Sequence, residues 1–248
     1  MTKDKKTQLN QEQRRAVEHE KGPLLVVAGA GTGKTRVITE RIRWLIDKRK
    51  ISSNEILALT FTDKAALEMS NRVGDVMPLG YEEPFINTFH AFADRILKKE
   101  GLEIGLDPSY KILSGPNQWL LLRKHLFELD LKYFRPLGNP TKFISAILRF
   151  ISRLQDENIT HEELKNFADN FEGEKEERER WLELAHIYKR YQEIKLENSK
   201  LDFGDLINWL IRLFKERPNV LKKYQTQFRH VLLDEFQNTN YAQYVLVK

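Results

Sequence analysis

The segment VVAGAGTGKTRV, Val26–Val37, constrains what this chain can fold into more than any other stretch. An apolar run, PLLVVA, leads into it, and Val37, Ile38, Ile42, Leu45 and Ile46 continue from it at helical spacing to about Lys48. Strand, glycine-rich loop and helix, in that order, form the setting of a phosphate-binding loop. There, successive backbone N–H groups and the positive end of a helix face an anion. The strict pattern, G-x-x-x-x-G-K-[ST], asks for a glycine where this chain has Ala28. Gly29, Gly31 and Gly33 still supply the conformational freedom the loop needs. Lys34 is then placed to reach β and γ phosphates, and Thr35 to hold Mg²⁺. The competing reading is a plain glycine turn after a strand, and GKT directly before a helix weighs against it.

The strand-then-helix theme recurs along the first part of the chain. NQEQRRAVEH reads as a short helix opened by Asn10. EILALTF reads as a strand followed by a helix, DKAALEMSNRV, that starts near Thr62 or Asp63. PFINTF reads as a third strand followed by HAFADRILKK as a helix. Alternation of this kind predicts an α/β fold with a parallel sheet flanked by helices. From about Tyr110 to Lys200 nearly everything reads as helix, broken at YFRPLGNP, and strand character returns only at HVLLDEF. The expected organisation is an α/β domain over 1–110 and 200–248, interrupted by an all-helical subdomain over 111–199. The run EGEKEERERW reads as a solvated helix face.

HVLLDEF ends in Asp234 and Glu235, and in a phosphate-loop enzyme an acid at a strand end holds Mg²⁺. Glu235 beside it is a candidate to orient or deprotonate an attacking water. LLDE is a weak signal alone and a strong one when paired with the loop. The separation of 200 positions from Lys34 to Asp234 is too long for a minimal nucleotide kinase and fits a domain carrying an insertion.

Composition sets outer bounds. The chain has 248 residues, a formal charge of +5 and no cysteine. No disulfide framework or cysteine zinc site is possible, and a reducing cytoplasm is the expected location. The polar start MTKDKKTQLN has no apolar core of a secretory signal, and no apolar run approaches the roughly 18 residues of a membrane span. The mild positive charge is compatible with a nucleic-acid partner without requiring one.

Six segments in order resemble one family: LNQEQRRAV, AGAGTGKT, LALTFTDKAALEM, INTFHAFADRIL, LDFGDLI and LLDEFQNTN. Together they resemble the first half of a UvrD/Rep/PcrA-type superfamily 1 DNA helicase, an ATP-driven 3′→5′ translocase on single-stranded DNA acting in repair or replication. The resemblance implies a RecA-like domain interrupted by a helical subdomain, with ATP and Mg²⁺ as cofactors. It makes Ala28 an expected first loop residue, and Ala28, Gly29, Ala30, Gly31, Thr32, Gly33, Lys34, Thr35 and Arg36 nucleotide-binding. Gln13 falls on the adenine-reading glutamine, a role its amide suits because it both donates and accepts. Asn10 and Gln13 also have capping-box spacing, and the two roles are compatible.

The same resemblance implies single-stranded DNA contacts at Phe61, Thr62 and Lys64, and at Thr88 and His90. An aromatic at a strand end, beside a helix N-terminus, suits base stacking plus phosphate binding. Without the resemblance, Phe61 reads as core and His90 as structural. Asn is common in the family where this chain has Asp63, so no direct contact is assigned to Asp63. Gln237 resembles the glutamine that senses the γ-phosphate, and Phe236-Gln237 argues against superfamily 2 RNA helicases. Lys34, Asp234, Glu235 and Gln237 are the expected catalytic set, with Thr35 and Asp234 as Mg²⁺ ligands.

The family's second RecA-like domain, with the arginines that complete the ATP site, lies beyond the six segments. The expected partners are thus single-stranded or 3′-tailed DNA and that second domain in cis, and these residues alone are not expected to unwind DNA. Two alternatives stand beside this reading. One is the motor portion of a RecB/AddA-like recombination nuclease-helicase, and the other is a stand-alone nucleotide-dependent DNA-binding module.

Overall fold

The computed structural model describes residues 9–29, 31–77 and 80–248. Two compact units are present, Met1–Ala91 with Lys222–Thr239, and Phe92–Leu221 with Asn240–Lys248.

The first unit is built on a parallel sheet. Strand β1, Ile56–Thr60, is buried along its whole length, as a continuous apolar run must be when both faces are covered. It pairs in parallel with β2, Phe85–Thr88, on one side and with β5, His230–Leu233, on the other. The register sets Thr60 opposite Thr88 and Leu59 opposite Leu233. Asp234 extends the ladder by one bond, its N–H donating to Leu59 O at 2.9 Å.

Helices α1 (Gln11–Val17), α2 (Lys34–Asp47) and α3 (Asp63–Val76) belong to this unit. Their starts are the ones the sequence marks. Asn10 and Gln13 form a reciprocal capping box at α1, and Thr62 caps α3 by accepting from Ala65 N–H at 3.1 Å. Ile42 and Leu45 of α2, Ile56 and Ala58 of β1, and Met69 and Val73 of α3 form one buried cluster.

One expected strand is absent. PLLVVA is not in a sheet, and its side chains face solvent, Val27 being 88% exposed. A continuous apolar run reports a tendency to be buried, but a strand also needs a hydrogen-bonded neighbour. Among the described residues the sheet stops at β5, an edge strand whose Val231 is itself exposed.

The second unit is helical. Its core gathers Leu122 and Leu126 from around α5 (Gly115–His125), Ile147 and Ile151 from α6 (Ile144–Asp156), Leu164 from α7 (His161–Asp169), and Ile187 and Tyr191 from α8 (Lys175–Glu197). The break at YFRPLGNP falls between α5 and α6. This unit is wider than the segment 111–199 drawn from the sequence. Strand β3, Lys111–Ile112, pairs with β4, Lys200–Leu201, and joins the two ends of that segment. Helix α9, Phe203–Glu216, then packs on α6.

A buried ionic cluster fixes the start of α9. Lys195 Nζ, with no solvent exposure, donates to Asp202 and Asp205, while Gln155 Nε2 donates to Asp202 Oδ1 at 3.0 Å and Asp205 Oδ1 at 2.9 Å. The two aspartates also cap α9 reciprocally. Burial opposes the charge on Lys195, but the two carboxylates outweigh it and hold the ammonium above the ordinary lysine range. Burial and the charge of Asp202 push Asp205 up to about 6, against the pull of Lys195. One ammonium faces two carboxylates, so one of the acids carries the cost. Gly204 is required here, because a Cβ at that position would lie 2.4 Å from Gln155 Oε1.

Candidate nucleotide-binding site and nucleic-acid face

In the loop after Val27, Gly31 and Gly33 have left-handed backbones, φ 75° and φ 93°, which side-chain-bearing residues rarely adopt. Gly33 is the N-cap of α2 and has no side chain to cover the first N–H groups of that helix, which leaves them available to an anion. Thr32 Oγ1 closes the loop by donating to Gly29 O at 2.8 Å. Lys34 Nζ folds back over the loop and donates to Ala28 O and Gly29 O, each at 3.2 Å. Arg36 follows, partly buried, in the first turn of α2. Ala30 lies outside the described residues.

Gln13 is tied to this loop. Its Nε2 donates to Thr32 O at 3.0 Å, and its Oε1 accepts from Asn10 N–H at 3.0 Å. A side-chain amide has two N–H donors and two lone pairs. The capping bond and the bond to Thr32 together use one acceptor and one donor of Gln13 and leave one of each unspent.

Across the sheet edge, Thr35 Oγ1 donates to Asp234 Oδ2 at 3.1 Å. Asp234 is buried, and its other oxygen accepts from Glu235 N–H at 3.0 Å. Glu235 has a left-handed backbone, φ 53° and ψ 41°, the kind of strain that concentrates at functional sites. Gln237 Nε2 donates to Glu235 Oε2. The four expected catalytic residues thus fall on two segments, the start of α2 and the end of β5. Among the described residues no group of three acids or histidines has metal-ligand geometry, so a cation here would draw on Thr35 and Asp234.

The sheet order places the second candidate face beside the first. Thr88 ends β2, Phe61 follows β1 and Asp234 follows β5, so the three occupy the same carboxyl edge of adjacent strands. Parallel α/β sheets bind ligands at this edge. Phe61 is 52% exposed, which removes the reading of it as core. Lys64 is exposed in the first turn of α3, and Thr62 is committed to capping that helix. Thr88 is buried, and its hydroxyl donates to Asp63 Oδ1 and accepts from Ala91 N–H, each at 3.2 Å. It joins the two candidate DNA segments rather than facing outward. His90 is partly buried at the second position of helix α4, Phe89–Glu100.

The sequence reading did not reach Arg41, Asp63 as the partner of Thr88, or the Lys195 cluster. For the last, a signal was available: Asp202 and Asp205 have capping-box spacing inside LDFGDLI.

A strand-end carboxylate meeting the hydroxyl that opens a glycine-looped helix defines a phosphate-loop protein of the α/β class. The chain belongs to the UvrD/REP helicase family: the model of the UvrD/REP helicase N-terminal domain matches residues 9–248. It is 39% identical over 242 residues to the ATP-dependent DNA helicase PcrA of Staphylococcus epidermidis and to that of Bacillus subtilis, and 38% identical to that of Staphylococcus aureus. Each alignment covers 97% of this chain and 31% of the relative. The chain therefore spans about a third of the length of these curated relatives. No described helix is long and apolar enough to cross a membrane.

Proposed function

We propose that these residues form the ATP-binding portion of an ATP-driven 3′→5′ helicase that moves on single-stranded DNA in repair or replication. The observation that carries the reading is the 3.1 Å approach of Thr35 to Asp234, which builds one site from the phosphate loop and a distant strand end. Residues 1–110 and 200–248 are assigned to the first RecA-like domain and 111–199 to the inserted subdomain. The relatives' whole activity belongs to chains about three times longer, so DNA unwinding is not assigned to these 248 residues alone.

In this site the phosphate chain of ATP lies against the N–H groups of Gly29 and of residues 31–35. Lys34 leaves the carbonyls of Ala28 and Gly29 to meet the phosphates, exchanging two neutral acceptors for an anionic one. Thr35 and Asp234 fit Mg²⁺, since a hydroxyl and a buried carboxylate already converge there. When bound, Mg²⁺ neutralises phosphate charge. Glu235 takes a proton from the attacking water, and Gln237, which donates to it, reports whether the γ-phosphate is present. Gln13 and Arg36 complete the nucleotide contacts, with Gln13 reading adenine through its unspent donor and acceptor.

Phe61 is assigned to base stacking and Lys64 to the phosphate backbone. Thr62, Thr88 and His90 support that face, Thr88 by holding Asp63 at the start of α3. Single-stranded DNA is the proposed partner, with 3′-tailed duplex as the unwinding substrate.

The test is ATPase activity of the full-length protein with and without single-stranded DNA, in the native form and as Lys34→Ala and Glu235→Gln. DNA-stimulated hydrolysis abolished by both substitutions is expected. Normal turnover by Lys34→Ala would remove the reading.

A further inference from the structure

Arg41 makes an unusual set of bonds for a residue in the middle of a helix. Its Nη1 donates to three main-chain carbonyls, Val17 O and His19 O at 2.8 Å and Ala16 O at 3.3 Å. Ala16 O and Val17 O are among the last carbonyls of α1, which have no partner within the helix itself, and His19 O follows just beyond it. A cation there is also favoured by the helix dipole. The guanidinium is partly withdrawn from water, and burial lowers its pKa.

Helix α1 needs such an anchor. At seven residues it is too short to persist on its own, and Val17 is its one buried residue. It is fastened at two places: Gln13 Nε2 to Thr32 O near its start, and Arg41 at its end. Both fastenings lead to α2. Arg41 stands seven residues after Lys34, two turns along the same face and about 10 Å away. Helix α2 therefore acts as a ruler. It carries the phosphate lysine at one end and, two turns on, the group that fixes α1 and Gln13 with it. A Cβ on Gly33 would come within 3.2 Å of Gln13 Nε2, so the amide already rests against the loop.

We propose that Arg41 is a positioning residue for base selection: by binding the carboxyl end of α1 it holds Gln13 where its amide selects adenine. The inference rests on the reading of this site as an ATP site. Arg41 contacts no nucleotide itself and acts through Gln13.

The experiment is a double-mutant cycle in the full-length protein: native, Gln13→Ala, Arg41→Ala and both together, each assayed for KM and kcat with ATP and with GTP. Arg41→Ala should raise KM for ATP about tenfold, the size of one lost hydrogen bond in a partly desolvated site, and shrink the preference for ATP over GTP, with kcat little changed. In the Gln13→Ala background it should leave that preference unchanged. An Arg41→Ala protein that keeps the preference overturns the inference, as does an equal loss in both backgrounds. A native protein that hydrolyses both nucleotides without preference overturns it too, while leaving the ATPase reading intact. A native protein that hydrolyses neither overturns both.

Hydrogen exchange separates this role from general destabilisation. Residues 14–19 should lose protection in Arg41→Ala while α2 keeps its own. Unchanged protection in α1 overturns the inference. If protection is lost throughout α2 as well, Arg41→Lys decides. With charge and donors retained on a shorter reach, its ATP preference should fall between native and Gln13→Ala, and a native preference despite a weakened α1 overturns the proposal.

Discussion

Thr35 and Asp234 are 199 positions apart in the chain, and their side-chain oxygens lie 3.1 Å apart. The hydroxyl has one proton to donate, and in this structure Asp234 receives it. Replacing either residue separates the two halves of the site without touching the loop. Thr35→Ala and Asp234→Asn should each lower Mg²⁺-dependent ATP turnover by about 100-fold or more, typical of removing one preorganised electrostatic partner. Nucleotide affinity measured in EDTA should stay near native, because the loop N–H groups and Lys34 are unchanged. Equal loss with and without Mg²⁺ would show that the pair serves the fold and not the cation.

Phe61 stands half in solvent at the end of β1, beside the first turn of α3. Phe61→Ala should weaken single-stranded DNA binding by about 1–3 kcal/mol, the usual worth of one stacking aromatic. Thermal stability should barely move, since little packing is lost. Thr88→Val removes a buried hydroxyl that serves Asp63 and Ala91, so it should lower stability as well as DNA affinity. Fluorescence anisotropy with a labelled oligonucleotide, beside thermal melts, distinguishes the two.

Lys195 is paired with two buried carboxylates, Asp202 and Asp205. Lys195→Met leaves both without a cation, and a broken buried pair typically costs about 3–5 kcal/mol. The second unit should unfold at markedly lower temperature, which the fluorescence of Trp119, Trp181 and Trp209 would report. Replacing Lys195, Asp202 and Asp205 together with apolar residues should cost less than Lys195→Met alone, because no uncompensated charge remains.

The same cluster predicts a pH dependence with a definite sign. Burial, then the charge of Asp202, raises Asp205 to about 6, above its value in the unfolded chain. The folded state therefore holds this proton more tightly than the unfolded state does. The stability contributed by Asp205 is fully present below the unfolded carboxylate range and is lost as pH rises through about 6. Asp202, held low, titrates below that window. Asp205→Asn should flatten the pH 4–6 slope of the unfolding free energy of the second unit. A slope unchanged by that substitution would place the proton elsewhere.

Much of the first unit was legible in the sequence because its signals are local. Asn10 and Thr62 cap the helices they precede, and ILALT is buried through and through, as a continuous apolar run between helices implies. Lys34, Thr35 and Asp234 could be paired because each sits at a boundary between elements, where chemistry and local conformation are written in the same few residues. The expectation for PLLVVA failed because pairing depends on a neighbour, and neighbours are not encoded in the run itself. Arg41 escaped notice for a related reason. An arginine inside an amphipathic helix looks like surface until α1 is seen to end against it. Thr88 shows the limit from the other side: its motif was visible, but its burial and its bond to Asp63 depend on β1 and β2 lying in register.

Among the described residues, exposed Leu24–Val27 and the edge strand β5 give the first unit two apolar borders. Such borders do not discriminate between a strand from their own molecule and one from another. Edges of this kind are general templates for chain-to-chain pairing. Leu24–Val27 and Val231 thus set exposed apolar side chains beside the nucleotide loop of a chain whose net charge is +5.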